Sequence, residues 1–409
     1  MFPLFCFASL ASAAHKTLVL LGEDTDDLQF KTFFEDLKKY SSVVDTRILS
    51  DDKTDRIILE RFGSRLYDTI VIIGSKRDAF GKDSEILTHF LDNGGNAIVF
   101  GTGAINSVQE FIARHLGVHI EKKPVQDLYG NNDIVLRKLV APETVVSGKI
   151  NPVTYNGGFL VISRPNDFQM PIMVGGLQHI GIPTIRSFKK LYANQIVPIA
   201  AFQGRNGGRI TFICSETFAH DSSLNSEVRF AEDLTEIPAE KSGNHDLLIQ
   251  LLEWTIHYKS YNKIVSATHY DPATKEAPVQ YTYNQSITVV AEVSTANKGE
   301  FVPYTDELQA EIFMLGTFVR RHMKMVSPGK FEVTMNIPDK HGNYFIKVFT
   351  DKFGYYNARE EMAIAVRPLS IREKEHFLFA AKPYVASCLS IMIGAFLLTC
   401  HFLWHKPSN

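Results

Sequence analysis

The segment from Cys214 to Ser223, CSETFAHDSS, contains the residue types of a hydrolytic site. Ser215, His220 and Asp221 could act as nucleophile, general base and orienting carboxylate. The thiol of Cys214 is an alternative nucleophile. However, the segment lacks the Gly-x-Ser-x-Gly turn that presents a nucleophile after a strand, and Cys214 ends the apolar run ITFIC, where a thiol usually packs as a small hydrophobic group. The sequence therefore favours a structural role over catalysis here.

The segment 101–106, GTGAIN, resembles a dinucleotide-binding turn because it follows an apolar run and precedes a helical pattern. Asn106 stands where that fingerprint needs its third glycine. The motif also belongs to the fourth strand–helix unit rather than the first. Gly94 and Gly95 have a simpler explanation, since a helix that ends after Leu91 needs a residue that tolerates positive φ. We therefore predict no nucleotide cofactor.

Glu23, Asp24, Asp26 and Asp27 form an acidic turn directly after the first apolar run. Carboxylates at the carboxyl end of a strand could hold Mg²⁺ or Ca²⁺. The same carboxylates would also complement the positive end of the helix predicted next, and we favour this capping role. No His-Glu-x-x-His motif is present. The sequence therefore predicts neither a metal site nor a catalytic residue.

The elements that would position these residues alternate between short apolar runs and amphipathic helical patterns. The apolar runs are KTLVLLGE, VVDTRIL, YDTIVIIGS and GNAIVFG, and the helical patterns are DDLQFKTFFEDLKKY, TDRIILERFGSRL, EILTHFLDNG and NSVQEFIARHLG. This alternation predicts a doubly wound, mainly parallel α/β sheet. Further strand patterns, FLVISRP, QIVPIAAFQ and GRITFICSE, precede the helix GNHDLLIQLLEWTIHYK. We expect an α/β domain over 15–260, with two lobes divided near residue 125 as an alternative.

After Tyr261 the helical periodicity disappears and alternating strand patterns follow one another. They are SITVVAEVST, ELQAEIFML, KFEVTMNIP, NYFIKVFTD and EEMAIAVRP, separated by turn residues. Such a series predicts a β-sandwich. We place this sandwich at 261–370, next to a membrane.

The segment from Tyr384 to Trp404 contains no Asp, Glu, Lys or Arg. As a helix with a rise of about 1.5 Å per residue it would span about 30 Å, the thickness of a bilayer core. Its aromatic ends suit the two membrane interfaces. Ser387, Ser390 and Gly394 share one face and would permit close approach of another helix. The sequence therefore predicts a transmembrane helix at 384–404 with a packing face.

The segment 1–13 has an apolar run, small residues and a small-x-small cleavage site at Ala11-Ser12-Ala13, as a signal peptide does. A buried first strand or helix is the alternative, because no Lys or Arg precedes the apolar run. A cleaved signal would place the bulk of the chain in the lumen and leave the tail 405–409 in the cytosol. This arrangement is a single-pass type I topology.

Cysteine usage and one sequon bear on that topology. The chain has four cysteines, and only Cys214 lies between the predicted signal and the membrane helix, so no intrachain lumenal disulfide is expected. Asn284-Gln285-Ser286 is an acceptor sequon for N-glycosylation in a lumenal domain.

Lys and Arg number 43 against 45 for Asp and Glu, so no strong field would attract nucleic acid. We predict no nucleic-acid partner.

Several long segments together resemble one known family. They are 318–356, VRPL at 366–369, PYVAS at 383–387, and the segments YDTIVIIGS, FLDNGGNAIVFGTG, ITFICSETFAHDSSLNSEV and GNHDLLIQLLEW. From Lys16 to Trp404, their order and spacing resemble the single-span lumenal accessory subunit of the oligosaccharyltransferase complex. The resemblance also implies an α/β domain similar to glutamine amidotransferases.

The resemblance implies a subunit of the endoplasmic reticulum machine that moves a preassembled oligosaccharide from dolichyl diphosphate to Asn in Asn-x-Ser/Thr. Catalysis in that family belongs to a separate polytopic subunit, so a non-catalytic chain without a cofactor is implied. Its implied partners are that subunit, the other subunits, the membrane and, as a further candidate, the translocon. The family's tail often carries a dilysine retrieval signal, whereas here Pro407 follows Lys406. A membrane-anchored lumenal α/β enzyme or ligand-binding receptor and a β-sandwich adhesion module remain alternatives.

Overall fold

The computed structural model describes residues 15–22, 27–49, 57–74, 84–101, 113–162, 165–183, 189–228, 231–232, 235–236, 240–374 and 379–405. The predicted signal segment 1–13 and the retrieval position Lys406 lie outside these ranges. The described residues form an α/β part, an all-β part and a C-terminal helix.

An eight-stranded sheet forms the centre of the α/β part. Its strands are β1 (Lys16–Gly22), β2 (Val43–Leu49), β3 (Thr69–Ile73), β4 (Asn96–Phe100), β5 (Lys138–Leu139), β6 (Gln169–Val174), β7 (Ile199–Gln203) and β8 (Arg209–Ile213). Their order is β5-β6-β7-β8-β4-β3-β1-β2. The strands from β8 to β2 run parallel, whereas β7, β6 and β5 pair antiparallel. The sheet is therefore mixed rather than wholly parallel.

Both faces of this sheet are covered, which explains why its central strands are continuous apolar runs. Val19 of β1 points into a core shared with Phe33 and Leu247, whereas the adjacent Leu20 points into a second core shared with Phe90. Within the described ranges, this part contains the helices α1 (Lys31–Tyr40), α2 (Ser84–Asp92), α3 (Asp221–Leu224) and α4 (Asn244–Thr255). Helices α1 and α4 thus cover one face, and α2 covers the other. Burial of each large apolar side chain contributes about 1.5–3 kcal/mol.

Short strands and single turns complete the α/β part. The short strands are Glu60–Arg61, Ser64–Arg65, Val118–Glu121, Gln126–Asp127, Ile134–Leu136, Val153–Tyr155, Phe159–Ile162, His179–Gly181, Leu191–Tyr192, Glu227–Val228, Ala231–Glu232, Thr235–Glu236 and Glu240–Lys241. The 3-10 turns are Asp27–Phe30, Ala193–Gln195 and Thr217–Ala219.

The helix predicted for TDRIILERFGSRL is wrong over its described residues, 57–66. The chain there forms a hairpin in which Glu60 pairs with Arg65 and Arg61 with Ser64. The turn between these pairs needs two residues at positive φ, 52° at Phe62 and 75° at the following glycine. A helix cannot contain that backbone geometry. Local turn formation therefore overrides the helical spacing of the apolar residues.

The all-β part consists of two five-stranded sheets. Its strands are β9 (Tyr261–Tyr270), β10 (Tyr281–Thr282), β11 (Ser286–Asn297), β12 (Glu300–Pro303), β13 (Gln309–Met314), β14 (Gly316–His322), β15 (Lys324–Ser327), β16 (Lys330–Asn336), β17 (Gly342–Phe349) and β18 (Arg359–Arg367). One sheet has the order β9-β11-β16-β15 with β12 also on β11, and the other has the order β10-β18-β17-β13-β14. Ile287 and Val289 of β11 join Ile312 and Ile346 of the other sheet in one buried core. The predicted series of strands is thus present, although the sequence patterns missed the long strand β9.

A helix, α5 (Lys382–Trp404), follows the sandwich after a 3-10 turn at Phe379–Ala381. It is apolar and long enough to cross a bilayer, and none of it is buried against the rest of the chain. A soluble core helix would bury at least one apolar face. The helix is therefore consistent with the predicted transmembrane anchor.

Candidate functional site

The residues of the possible hydrolytic site lie near the carboxyl ends of β4 and β8, but each has a structural partner. The Ser215 hydroxyl donates to the backbone carbonyl of Asn156 at 2.5 Å. His220 packs edge-on against an aromatic ring of Phe30, with 4.7 Å between the ring centroids. Asp221 accepts a hydrogen bond from the backbone N–H of Thr32 at 3.0 Å and so caps the first turn of α1. No described hydrogen bond joins Ser215 to His220, so the structure does not assemble a triad from these residues.

The thiol of Cys214 is buried, with 1% of the residue exposed. Burial raises the pKa of this thiol far above its ordinary value, and only a thiolate is an effective nucleophile. The Cα of Cys214 lies 3.3 Å from the position that a Cβ on Gly101 would occupy. Cys214 and Gly101 therefore pack two neighbouring strands together, and the thiol is inert.

The glycine pair Gly94-Gly95 has a structural role, whereas the dinucleotide-like turn and the acidic turn lie mostly outside the described residues. Gly94 has a φ of 82°, which suits a residue just past a helix end. A Cβ on Gly95 would overlap the ring of Phe90. Residues 102–112, with most of the dinucleotide-like turn, and residues 23–26, with most of the acidic turn, lie outside the described residues.

His115 and His119 have an i, i+4 spacing that could place two ligands on a helix face. His119 instead belongs to the strand Val118–Glu121, and its Nε2 lies 3.4 Å from a carboxylate oxygen of Glu121. Across the described residues, no group of three or more His, Cys, Asp or Glu side chains could hold a metal ion.

A cleft of about 1090 Å³ lies at the opposite edge of the sheet, where the parallel strands begin. Lys16 begins β1, Asp68 precedes β3 and Asn96 begins β4, and all three line the cleft. On its other side the cleft is lined by Lys298 in the β11–β12 turn and by Tyr356 before β18. The cleft therefore lies between the α/β part and the sandwich.

The junction beside this cleft is built around Arg209, the first residue of β8, which is fully buried. Its guanidinium stacks over the indole of Trp254, 4.6 Å from the ring centroid. It donates hydrogen bonds to four backbone carbonyls, those of Trp254, Lys259, Ser260 and Gly354. Burial lowers the pKa of Arg209 to about 9, so the side chain is still charged at neutral pH. These acceptors come from both parts of the chain, so one buried cation joins them.

Further buried polar contacts complete the junction. The indole N–H of Trp254 donates to the carbonyl of Gly354 at 2.8 Å, and the Ser260 hydroxyl donates to the carbonyl of Thr144 at 2.6 Å. Gly354 has a φ of 81°, and a Cβ there would overlap the Thr144 side chain. The relative position of the two parts is therefore fixed by contacts that tolerate little change of shape.

Three aromatic rings lie where the junction meets the cleft. Tyr261 and Tyr356 stack with 4.6 Å between ring centroids and 27° between ring planes. His257 lies edge-on to both, at 5.4 and 5.7 Å. A Cβ on Gly207 would overlap the Tyr356 ring, so this glycine lets the ring approach the β7–β8 turn closely. The sequence reasoning missed these residues, because it searched the carboxyl ends of the strands.

His257 has two unusual features. Its φ is 63°, in the left-handed region that non-glycine residues rarely adopt, and its Nδ1 is buried without a hydrogen-bond partner among the described residues. Burial lowers the pKa of the imidazole well below its ordinary value, and the charge of Arg209 adds to the effect. The ring is therefore neutral in the folded protein at neutral pH.

The neutral state of His257 predicts a pH dependence of stability. Above about pH 6.5, the ordinary pKa of histidine, the ring is uncharged in both the folded and the unfolded chain. As the pH falls below that value, the unfolded chain gains a proton that the folded chain resists, so the free energy of unfolding decreases. In denaturant titrations between about pH 7.5 and 5, we expect the free energy of unfolding of His257→Gln to fall less with decreasing pH than that of the original chain. If the free energy of unfolding of His257→Gln depended on pH as steeply as that of the original chain, the neutral state of His257 in the folded protein would be contradicted.

Comparison with known proteins gives two family matches. Residues 8–258 match the family model for the OST48 N-terminal domain, and residues 269–406 match the model for the OST48 middle domain. Similar curated proteins are named as the 48 kDa subunit of dolichyl-diphosphooligosaccharide–protein glycosyltransferase. The protein from Arabidopsis thaliana is 25% identical over 98% of this chain and 95% of its own length. Those from Drosophila melanogaster and Danio rerio are 25% and 26% identical over 98% and 95% of this chain, and 93% and 91% of their own lengths.

Proposed function

The chain belongs to the OST48 family, and we propose on this basis that it is a non-catalytic accessory subunit of oligosaccharyltransferase. That complex transfers a preassembled oligosaccharide from dolichyl diphosphate to Asn in Asn-x-Ser/Thr of nascent chains. The observation that carries the proposal is the match of both family domains, in order, over most of the chain. The relatives that bear this subunit's name align over nearly their whole lengths.

The non-catalytic part of the proposal rests on what the candidate residues do instead of chemistry. The Ser215 hydroxyl is engaged with a backbone carbonyl, Asp221 caps a helix and the Cys214 thiol is buried and protonated. A nucleophile needs an exposed position and a base within hydrogen-bond reach. The geometry of these three residues therefore supports a scaffold role.

We also propose single-pass type I topology in the endoplasmic reticulum membrane, with the α/β domain and sandwich in the lumen. The partners would be the polytopic catalytic subunit, the other subunits of the complex and, as a further candidate, the translocon. The hydroxyls of Ser387 and Ser390 donate to carbonyls one turn earlier in α5. No hydrogen-bonding group of these serines then needs water, so they and Gly394 offer a compact face for a neighbouring helix.

Copurification tests the proposed function. The full chain, tagged at its C-terminus and extracted in mild detergent, should bring down the polytopic catalytic subunit together with activity that glycosylates a sequon peptide. Recovery of a stable monomer with its own hydrolytic activity would overturn the proposal.

The inert thiol gives a prediction for the assembled complex. We expect Cys214→Ala to leave the glycosylation rate within about twofold of the original, because the buried thiol takes no part in chemistry. The loss of one buried sulfur should lower the free energy of unfolding by about 1 kcal/mol. Rate assays on complexes of equal subunit stoichiometry would check this, with Cys388→Ala as the control. A large loss of rate at unchanged assembly would revive a catalytic role.

The sequon at Asn284 predicts a modification. Asn284 is exposed and lies at the turn between β10 and β11 with a φ of 60°, while Ser286 donates to the side-chain oxygen of Asn336 at 3.0 Å. If the sandwich is lumenal, we expect one N-linked glycan at Asn284. Endoglycosidase treatment should increase the gel mobility of the original chain and leave Asn284→Gln unchanged. A chain that is protected from external protease in microsomes yet carries no glycan would contradict this prediction.

A further inference from the structure

The two ends of the sandwich have different neighbours. Strand β9 begins at Tyr261 and β18 follows Tyr356, so these strands start at the junction with the α/β part. Both run away from that junction, and β18 ends at Arg367 on the opposite side of the sandwich. This opposite side, called the distal end below, consists of the connections 271–280, 283–285, 315, 337–341 and 368–374. The chain therefore continues to α5 from the distal end.

The three most exposed large apolar side chains among residues 261–374 all lie at the distal end. Leu315 is 99% exposed, Val279 93% and Ile371 80%. They belong to three separate connections, the β13–β14 turn, the loop before β10 and the turn after β18. Single exposed apolar residues are common on protein surfaces, whereas several on one surface mark a contact.

The backbone at Leu315 also has no explanation within the folded chain. Met314 pairs with Gly316, so Leu315 is the tip of a tight turn, and its φ is 59°. A glycine or asparagine adopts this left-handed conformation more readily than a leucine does. Because the Leu315 side chain also contributes almost nothing to the core, neither the turn nor the packing of the sandwich favours leucine here.

The residues behind this tip suit a lipid surface. The ring of Phe318 is partly exposed and packs edge-on against Tyr344, with 5.7 Å between the ring centroids. The Nζ of Lys340 lies 5.8 Å from the centroid of the Phe318 ring. Aromatic rings are enriched at the level of lipid headgroups, and lysine can extend its ammonium from an apolar surface into water.

The chain itself holds the distal end near a bilayer. The segment Phe379–Trp404 is long and apolar enough to cross one. Lys374 can lie at most about 18 Å from Phe379, because each residue extends the chain by no more than about 3.6 Å. Arg367 donates two hydrogen bonds to the Glu373 carboxylate, which fastens the turn after β18 to the end of that strand. A lipid surface is therefore within reach of the distal end.

The charges of the distal end are nearly balanced. Its basic side chains are Lys275, His341, Lys340, Arg367, Arg372 and Lys374. Its acidic side chains are Asp271, Glu276, Asp339 and Glu373. A strongly charged partner would gain little from this mixture, whereas a zwitterionic bilayer can still bury the apolar tip. The contact would then depend on apolar burial and respond only weakly to salt.

We propose that the β13–β14 turn inserts Leu315 into the surface of the bilayer that α5 crosses. This contact depends on α5 as a membrane anchor and not on the subunit role. It would fix the orientation of the sandwich, and of the α/β part joined to it, relative to the membrane. Strand β10, which leads to Asn284, lies four strand spacings from β14, or about 19 Å away in the same sheet. Insertion of Leu315 therefore leaves room for a glycan at Asn284.

The test attaches a fluorescent label to Gly316→Cys in the full chain, reconstituted in phosphatidylcholine nanodiscs. A Cβ at Gly316 would have no neighbour within 4 Å, so the turn tolerates this change. Cys388→Ala and Cys400→Ala remove the two exposed native thiols. Lipids with a nitroxide near the headgroup should quench the label, and a water-soluble quencher should act weakly.

Adding Leu315→Asp should reduce the quenching by the nitroxide lipids about tenfold, since burial of one leucine changes the inserted population by about that factor or more. Aspartate tolerates the left-handed conformation, so the turn should keep its shape. The matched control is Leu177→Asp, because Leu177 is 93% exposed but lies in the α/β part. This control should leave the quenching unchanged.

Equal quenching in the original chain and in Leu315→Asp would overturn the proposed contact. So would a label that is shielded from both lipid and water-soluble quenchers in the assembled complex, because Leu315 would then contact another subunit. Either result leaves the subunit role intact, since copurification tests that role separately. A chain that fails to enter nanodiscs would overturn both the anchor and the lipid contact.

Discussion

Replacing Arg209 by methionine should lower the free energy of unfolding of the chain by about 3–5 kcal/mol, because four buried hydrogen bonds and one cation–π contact are lost. Methionine fills much of the same volume but cannot donate hydrogen bonds. The carbonyl of Lys259, for which no other donor is described, would then be left unpaired at a cost of about 1–3 kcal/mol. The carbonyls of Trp254, Ser260 and Gly354 would each lose one of two donors. The stacking of the guanidinium on the indole would be lost as well. Lysine should rescue only in part, because it keeps the charge without the planar fork that reaches several carbonyls.

The matched control for this prediction is Arg205→Met. Arg205 lies in the β7–β8 turn, close to Arg209 in the chain, but is exposed, so its replacement should change stability by about 0.5 kcal/mol or less. Denaturant unfolding of the detergent-solubilised chain would measure both variants. Equal effects of the two substitutions would show that Arg209 does not hold the junction. Because Arg209 joins the two parts, its variant should also lose protease resistance between Thr255 and Tyr261, where α4 ends and β9 begins.

Replacing Gly354 by alanine should destabilise the chain by about 2–5 kcal/mol. The positive φ at this position costs an alanine about 1–2 kcal/mol, and the new Cβ would overlap the Thr144 side chain, where overpacking costs about 1–3 kcal/mol. The measurement is again the free energy of unfolding.

A second substitution separates the two causes of that loss. Thr144→Ala removes the atoms that the new Cβ would overlap most closely, so the pair Gly354→Ala with Thr144→Ala should recover part of the stability lost by Gly354→Ala alone. Gly130→Ala is the control for backbone strain, because Gly130 has a φ of 84° with no neighbour within 4 Å of its Cβ position. Gly130→Ala should lower the free energy of unfolding only by the cost of holding an alanine at positive φ. Strict additivity of the two junction substitutions would contradict the proposed overlap.

Much of the fold could be predicted from sequence, because its signals are local. The continuous apolar run YDTIVIIGS predicts a strand that is buried on both faces, and β3 is such a strand. The alternating patterns after Tyr261 predict the two packed sheets, and the uncharged segment from Tyr384 to Trp404 predicts the exposed apolar helix α5. The hairpin at 57–66 shows the limit of this reasoning. The spacing of its apolar residues favoured a helix, but two residues at positive φ form a turn there instead.

The sequence by itself predicted most of the strands, the apolar helix and the burial of Cys214, because periodicity and composition report which side chains avoid water. Only the tertiary structure decided where the cleft lies and what holds it. The carbonyls that bind Arg209 belong to residues between Trp254 and Gly354, and a backbone acceptor has no signature in the sequence. Likewise, Tyr261 and Tyr356 become a stacked pair because a β-bridge within the all-β part joins their backbones, and Gly207 of the α/β part leaves room for the Tyr356 ring. Contacts between residues far apart in the chain depend on the whole fold, and so the candidate site could not be predicted from any single segment.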